Sequence, residues 1–197
     1  EQGTVDLLHA IGAGERLARE GLVHHGINLQ FAGQRHRIPL SDLTGGRAIT
    51  IYGQQEVVKD LIRTRLDAGG AILFEVADVA VHDLATERPR VTFRQGGAQH
   101  ELECDFIAGC DGFHGVCRPS IPAGALRIYE HEYPVAWLGI LAAVAPSTDE
   151  LIYSCHPRGI ALHSLRTPLI SRLYLQCAPD EQIENWPDAR IWQELHT

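Results

Sequence analysis

Phe106-Ile107-Ala108-Gly109-Cys110-Asp111-Gly112-Phe113-His114-Gly115-Val116-Cys117-Arg118 is the stretch from which the rest of this sequence can be read. Its apolar start predicts a short buried strand over residues 106–109, which runs into an Asp-Gly turn, with Arg118 one helical turn further on. A carboxylate, a glycine permitting close approach and a cation are thereby placed at the end of a strand, where open α/β sheets bind their ligands.

Upstream, residues 5–19 read as one or two short amphipathic helices split by Gly12-Ala13-Gly14. This Gly-x-Gly is a helix break and not a dinucleotide fingerprint, because Leu17 stands where the third glycine belongs and the segment before it is helical. Residues 23–31 and 34–40 alternate around Gly33 as a hairpin, and residues 49–52 form a short strand. Residues 54–68 repeat apolar side chains at Val57, Val58, Leu61, Ile62 and Leu66, a helical face that Gly69-Gly70 ends. Strands are expected at 71–76, 79–84, 90–94 and 100–104 before the one at 106–109. That order describes an α/β unit with an inserted antiparallel layer.

Near Leu126 the texture changes to longer strands, at 127–133, 136–145, 150–154, 160–166 and 171–177, punctuated by Pro157-Arg158-Gly159 and Thr167-Pro168-Leu169. A helix over 188–196 follows Pro187. The expected fold class is α/β, of the α+β kind, with a division at residue 126: residues 1–126 in one domain and residues 127–197 in a mostly antiparallel sheet.

With 197 residues and 45% hydrophobic content the chain can bury a real core. A net charge of -8 without long runs argues against nucleic acid or an anionic membrane as partner, which leaves small molecules. Five cysteines (Cys104, Cys110, Cys117, Cys155, Cys177) without a Cys-x-x-Cys read as reduced core thiols. Cys104, Cys110, His114 and Cys117 match no standard zinc spacing, so no metal is expected. No signal peptide or membrane span is visible, since the apolar run at 135–144 is short and broken by Gly139, and a cytoplasmic location is expected. Helical patterns run close to both ends (Val5, Leu7, Leu8, Ile11; Ile191, Trp192, Leu195), which suggests a fragment.

Side chains two apart on a strand share a face. Ser164 and Arg166 therefore point one way, Arg172 and Tyr174 likewise on the next strand, and Leu165, Leu173 and Leu175 point the other way. The polar face offers a hydroxyl, two guanidinium groups and a phenol, which suit an aromatic acid because Arg pairs bidentately with carboxylates. A solvated sheet face has the same pattern.

The Asp-Gly stretch resembles the Gly-Ala-Asp-Gly-x-x-Ser-x-Val-Arg motif of the flavin-dependent aromatic hydroxylases, with Cys110 for the Ala, Gly115 for the Ser and Cys117 for the Val. Its Phe-His-Gly wording is similar to the branch that hydroxylates 4-hydroxybenzoate. The run from Leu151-Ile152-Tyr153 through His156-Pro157-Arg158-Gly159 to Ser164-Leu165-Arg166 and Ser171-Arg172-Leu173-Tyr174 resembles that branch's substrate sheet, although Leu173 stands where a Tyr is common. The resemblance implies that residues 1–126 are part of a Rossmann-like FAD-binding domain and residues 127–197 part of a substrate-binding domain. Ser164, Arg166 and Tyr174 would hold the substrate carboxylate and Tyr153 the phenol oxygen.

By the same resemblance His24, in Leu22-Val23-His24-His25-Gly26, would end a proton relay, which suits an imidazole near neutral pH. Taken alone it equally fits a satisfied strand histidine. Gln54, opening a helix after Tyr52-Gly53, would contact the flavin phosphate or ribityl chain. Asp111 and Gly112 would lie at the FAD ribityl and pyrophosphate, and Arg172 near the isoalloxazine. Phe113, His114 and Arg118 would contact NADPH, although a helix-surface ion pair also accounts for Arg118. The implied activity is conversion of 4-hydroxybenzoate to 3,4-dihydroxybenzoate with FAD, NADPH and O2, in a homodimer. Alternatives are a hydroxylase of another aromatic acid and a non-catalytic aromatic-acid-binding module. The family's opening βαβ unit with Gly-x-Gly-x-x-Gly, its later Gly-Asp segment and its second relay tyrosine are not in this sequence. The chain is therefore expected to be the middle of such an enzyme and not to hold FAD tightly by itself.

Overall fold

The computed structural model describes residues 1–196. Its elements are α1 (Gln2–Ala10), α2 (Glu15–Glu20), β1 (Leu22–His24), β2 (Ile27–Phe31), β3 (Gln34–Ile38), α3 (Leu40–Leu43), β4 (Ile49–Ile51), α4 (Gln54–Asp67), β5 (Ala77–His82), β6 (Arg90–Gln95), β7 (Ala98–Glu103), β8 (Ala136–Ala142), β9 (Ile152–His156), β10 (Gly159–Thr167), β11 (Ile170–Cys177) and α5 (Asp188–Leu195). The fold is mixed α/β, as the sequence patterns require. The chain forms two compact units, Glu1–Gly70 with Glu132–Thr197, and Ala71–His131.

In the first unit a six-stranded sheet runs β3-β2-β9-β10-β11-β8, antiparallel throughout except where β2 pairs with β9. This sheet takes strands from both sides of residue 126. Its back face carries Leu165, Leu173 and Leu175, all buried. Trp186, just ahead of α5, and Ile191 of α5 cover Leu175, with Leu138, Ile140, Ala161, Cys177 and Leu195 packed around them. A second core joins Leu8, Ala13 and Leu17 with Val5, Tyr52 and Val57. Gly12, at φ 77°, breaks α1 from α2 in the left-handed conformation that a glycine adopts without strain. β1 and β4 form a separate antiparallel pair.

The helix α4 ends in a Schellman arrangement, with Gly69 N–H donating to Leu66 O and Gly70 N–H to Arg65 O, both at 2.9 Å. Its expected apolar face is buried only in part, for Val57 packs into the second core while Val58, Leu61 and Leu66 are exposed, and the fully buried residue is Asp60. That carboxylate accepts hydrogen bonds from Tyr52 Oη at 2.8 Å and from Arg16 Nε and Arg63 Nη2 at 3.0 Å. The reason is electrostatic: a buried carboxylate persists only where its lone pairs are occupied. Burial acts to raise its pKa, but the bonds from Tyr52 and Arg16 hold it below the ordinary value.

The second unit is an antiparallel meander β5-β6-β7, with Phe93 buried and stacked on His100. Residues 104–131 contain turns and neither helix nor strand. The expected strands at 71–76, 106–109 and 127–133 are therefore absent, because none finds a ladder partner among the described residues. In the first, Glu75 turns to φ 55° and the Phe74 carbonyl accepts from the Gln95 side chain in place of a strand. Phe106 is 91% exposed and Tyr129 81%. No helix follows the Asp-Gly turn either. The cysteines are free, and none is buried, contrary to the expected core placement. No helix among the described residues is long and apolar enough to cross a membrane.

Candidate functional site

Register places the expected polar face of the sheet. Ser164 pairs across to Arg172, and Leu162 pairs with Tyr174 on one side and Tyr153 on the other, so Tyr153, Ser164, Arg172 and Tyr174 share a face. Arg166 follows at an irregularity, where pairing passes from Leu165–Ser171 to Thr167–Ile170 and leaves it without a cross-strand partner. Across β8, Tyr174 faces Gly139, and a Cβ there would meet the tyrosine ring at 3.4 Å. Trp137 meets the same ring edge-on at 6.4 Å.

The Arg172 guanidinium lies 4.7 Å from the Tyr174 ring centroid and contacts its hydroxyl. Burial lowers the Arg172 pKa, and the nearby charge of Arg166 adds to the shift. Among the described residues neither arginine has a salt bridge to a carboxylate. Ser164 is buried, and its hydroxyl makes only a long bond of 3.4 Å to Leu165 O. Arg166 instead donates from Nη2 to Gln55 Oε1 at 2.5 Å. Both line a largely apolar cleft of about 760 Å³ with Tyr52, Gly53, Leu141 and Ile170. Gln54 starts α4 but is exposed and does not line this cleft.

His24, 1% exposed, accepts the Leu151 N–H at Nδ1 (3.2 Å), two residues before Tyr153. Its Nε2 has no partner among the described residues. With Nδ1 accepting, the neutral ring carries its proton on Nε2. Burial lowers its pKa against the opposing pull of Glu150 and Asp149. Glu150 is itself held below the ordinary carboxylate range by Arg37, whose guanidinium bonds it at 2.7 and 2.8 Å.

In the second unit the Asp-Gly turn closes on itself. Asp111 accepts the Cys117 N–H at 2.9 Å, which lowers the Asp111 pKa, and Asp111 in turn raises that of the Cys117 thiol. The carboxylate occupies the place of a side chain at Gly115, where a Cβ would collide with Asp111 Cγ. Gly112 has φ 74°. Arg118 lies 4.4 Å from the Phe113 ring centroid and donates to Phe113 O, and Phe113 meets His114 edge-on at 5.0 Å. Asp111, Gly112 and Arg118 line a cleft of about 430 Å³ with Val81, Leu84 and Ile121. Phe113, His114 and Arg118 thus form one exposed cluster beside it.

Two features of the site region were not legible in the sequence. Gln55 meets Arg166 across 111 positions, and Arg16 meets Asp60 across 44, separations that no local periodicity reports. The one local trace is Gly53, where a Cβ would sit 2.9 Å from Gln55 Nε2.

The FAD binding domain family matches residues 1–197. A p-hydroxybenzoate hydroxylase of Acinetobacter baylyi is 47% identical over 195 residues, which are 99% of this chain and 48% of that protein. The chain therefore spans about half the length of this relative. The flavin-dependent halogenase CmlS superposes with a TM-score of 0.76 at 17% identity, over 99% of this chain and 37% of that one. The p-nitrophenol 4-monooxygenase PnpA of Pseudomonas putida DLL-E4 also superposes at 0.76, with 12% identity, 98% of this chain and 49% of that one, and these two likenesses establish the fold alone. Coverage of the whole sequence by one family, together with the close relative, means that this chain belongs to the FAD binding domain family.

Proposed function

We propose that these residues form part of an FAD-dependent hydroxylase converting 4-hydroxybenzoate to 3,4-dihydroxybenzoate with NADPH and O2. The observation that carries the reading is the sheet face shared by Tyr153, Ser164, Arg172 and Tyr174, with Arg166 at the adjoining irregularity and neither arginine ion-paired to a carboxylate among the described residues. Such a face attracts an anion, and Arg can bind a carboxylate through two parallel bonds. The 47% identical relative, named a p-hydroxybenzoate hydroxylase, supports a para-hydroxy acid as that anion.

On this reading Arg166, Ser164 and Tyr174 hold the carboxylate and Tyr153 hydrogen-bonds the phenol oxygen. Loss of the phenol proton makes the ring carbon ortho to it a better nucleophile. His24 would pass that proton on, and its exchangeable atom is Nε2 because the Leu151 amide holds Nδ1. The depressed pKa keeps the imidazole neutral, the form a relay needs near pH 7.

The residues present fit the flavin. The large cleft opens at the start of α4, whose first backbone N–H groups lack intrahelical partners and favour an anion, with Gln55 on its lining. FAD, when bound, supplies the reduction of O2 and the electrophilic oxygen. Arg172 would border its ring, Asp111 and Gly112 its ribityl and pyrophosphate groups, and Phe113, His114 and Arg118 the NADPH. Residues 1–126 would serve the flavin and residues 127–197 the substrate, in a cytoplasmic homodimer.

The test is Arg166→Gln in the complete polypeptide. Loss of a hydrogen-bonded charge should raise KM for the acid by about tenfold to a hundredfold, with NADPH binding unchanged. An unchanged KM for the acid would show that the carboxylate binds elsewhere.

A further inference from the structure

We propose that Gln55 is a positioning residue that aims Arg166 at the substrate carboxylate and thereby sets the preference for acids over neutral phenols. This inference rests on the aromatic-acid reading above.

The ladder does not fix the direction of Arg166, since it sits where the β10–β11 pairing skips a residue. Irregularities of this kind re-aim side chains beside active sites. A long side chain released from its ladder loses rotamer entropy on binding a ligand unless another group holds it first. Gln55 Oε1 provides that hold, accepting from Nη2 at 2.5 Å across the cleft that both residues line.

The chemistry of the acceptor matters. An amide oxygen is neutral, so it orients the guanidinium without cancelling its charge and leaves the other N–H groups for a carboxylate. A Glu at position 55 would reach equally far but would form an internal ion pair competing with the ligand. Gly53 makes the arrangement possible, because a Cβ there would lie 2.9 to 3.1 Å from the Gln55 amide group. Without that side chain, Gln55 folds back over the start of α4 toward β10.

The experiment compares dissociation constants of 4-hydroxybenzoate and 4-hydroxybenzamide by calorimetry in the complete, FAD-loaded polypeptide. Gln55→Met, which keeps the length and removes the acceptor, should weaken the acid about fivefold, the worth of one net hydrogen bond, and leave the amide within about twofold. Gln55→Glu should weaken the acid by about tenfold or more, again sparing the amide. Equal weakening of both ligands, or acid affinities within about twofold of the parent in both variants, would overturn the role of Gln55. Arg166→Gln separates the two levels. If it weakens the acid while the Gln55 variants do not, only the positioning role fails; if it too has no effect, the aromatic-acid reading fails with it.

Discussion

Residues 152–177 and residues 104–131 both carry candidate site residues, but they acquire their geometry by different routes. In β9, β10 and β11 the two-residue repeat decides which side chains look together: the cross-strand register sets Ser164 with Arg172 and Tyr174 and adds Tyr153, while Arg166, expected beside Ser164, falls at the irregularity. In the Asp-Gly segment no ladder exists. Asp111 is placed by its own loop, through the Cys117 N–H and the space left at Gly115. A site on a ladder inherits the precision of the sheet beneath it, whereas a site on a loop is set by contacts that a ligand can replace.

Variants that attack the support of the first unit should therefore have the largest effects. Asp60→Asn removes the buried charge that Tyr52, Arg16 and Arg63 share, and should cost about 3 kcal/mol in urea unfolding, as expected when a buried ion pair loses a partner. A loss below about 1 kcal/mol would mean that the network is solvated and does not anchor α4. Leu175→Ala, behind the polar face and under Trp186 and Ile191, should cost about 3 kcal/mol through lost burial and a residual cavity. Ligand affinity should fall with it if the sheet is the rigid support that the comparison describes.

A smaller, pH-dependent effect separates the buried His24 and the half-buried His163 from the carboxylates. Burial lowers the folded-state pKa of both His24 and His163 below 6.5. The unfolded chain then binds more protons than the folded one below pH 6.5, so stability is full above that value and is lost as pH falls toward the folded pKa values. Asp60, also depressed, acts in a lower window, with its contribution present above 3.8 and lost as pH falls through its folded value. His24→Gln combined with His163→Leu should flatten the dependence just below pH 6.5 and leave the acid limb in place. An unchanged slope would show that these rings titrate freely in the folded protein.

What was legible in the sequence follows the same division. The hairpin β10–β11, the break at Gly12 and the stop at Gly69-Gly70 were readable because each is encoded within a few neighbours. The polar face was readable because alternation along a strand is local. The strands expected at 106–109 and 127–133 failed for the complementary reason: an apolar run specifies a strand only where another edge is available to pair with it. The periodic face of α4 misled in another way, for Val57 packs into a core but Val58, Leu61 and Leu66 are exposed, and the buried residue is Asp60, whose three partners lie on α2, just after β4 and on α4. The amide oxygen holding Arg166 was equally hidden, since a glutamine beside a glutamine gives no signal of which one turns toward a strand 111 positions away.

The smallest predicted effect is the sharpest check on the contrast. Phe106 opens the very stretch that reads as a buried strand, yet it is 91% exposed and pairs with no strand among the described residues. Phe106→Ala should therefore change unfolding stability by no more than about 0.5 kcal/mol, although a buried phenylalanine would cost about 3 to 5 kcal/mol. The two expectations differ by several-fold, and denaturation of this chain resolves them directly. A large loss would mean that residues 104–131 pack against something in solution and that the Asp-Gly turn is held as firmly as the sheet. A negligible loss, alongside the large one at Leu175, leaves the turn as a loop whose carboxylate stays on its own backbone until a ligand offers it a better partner.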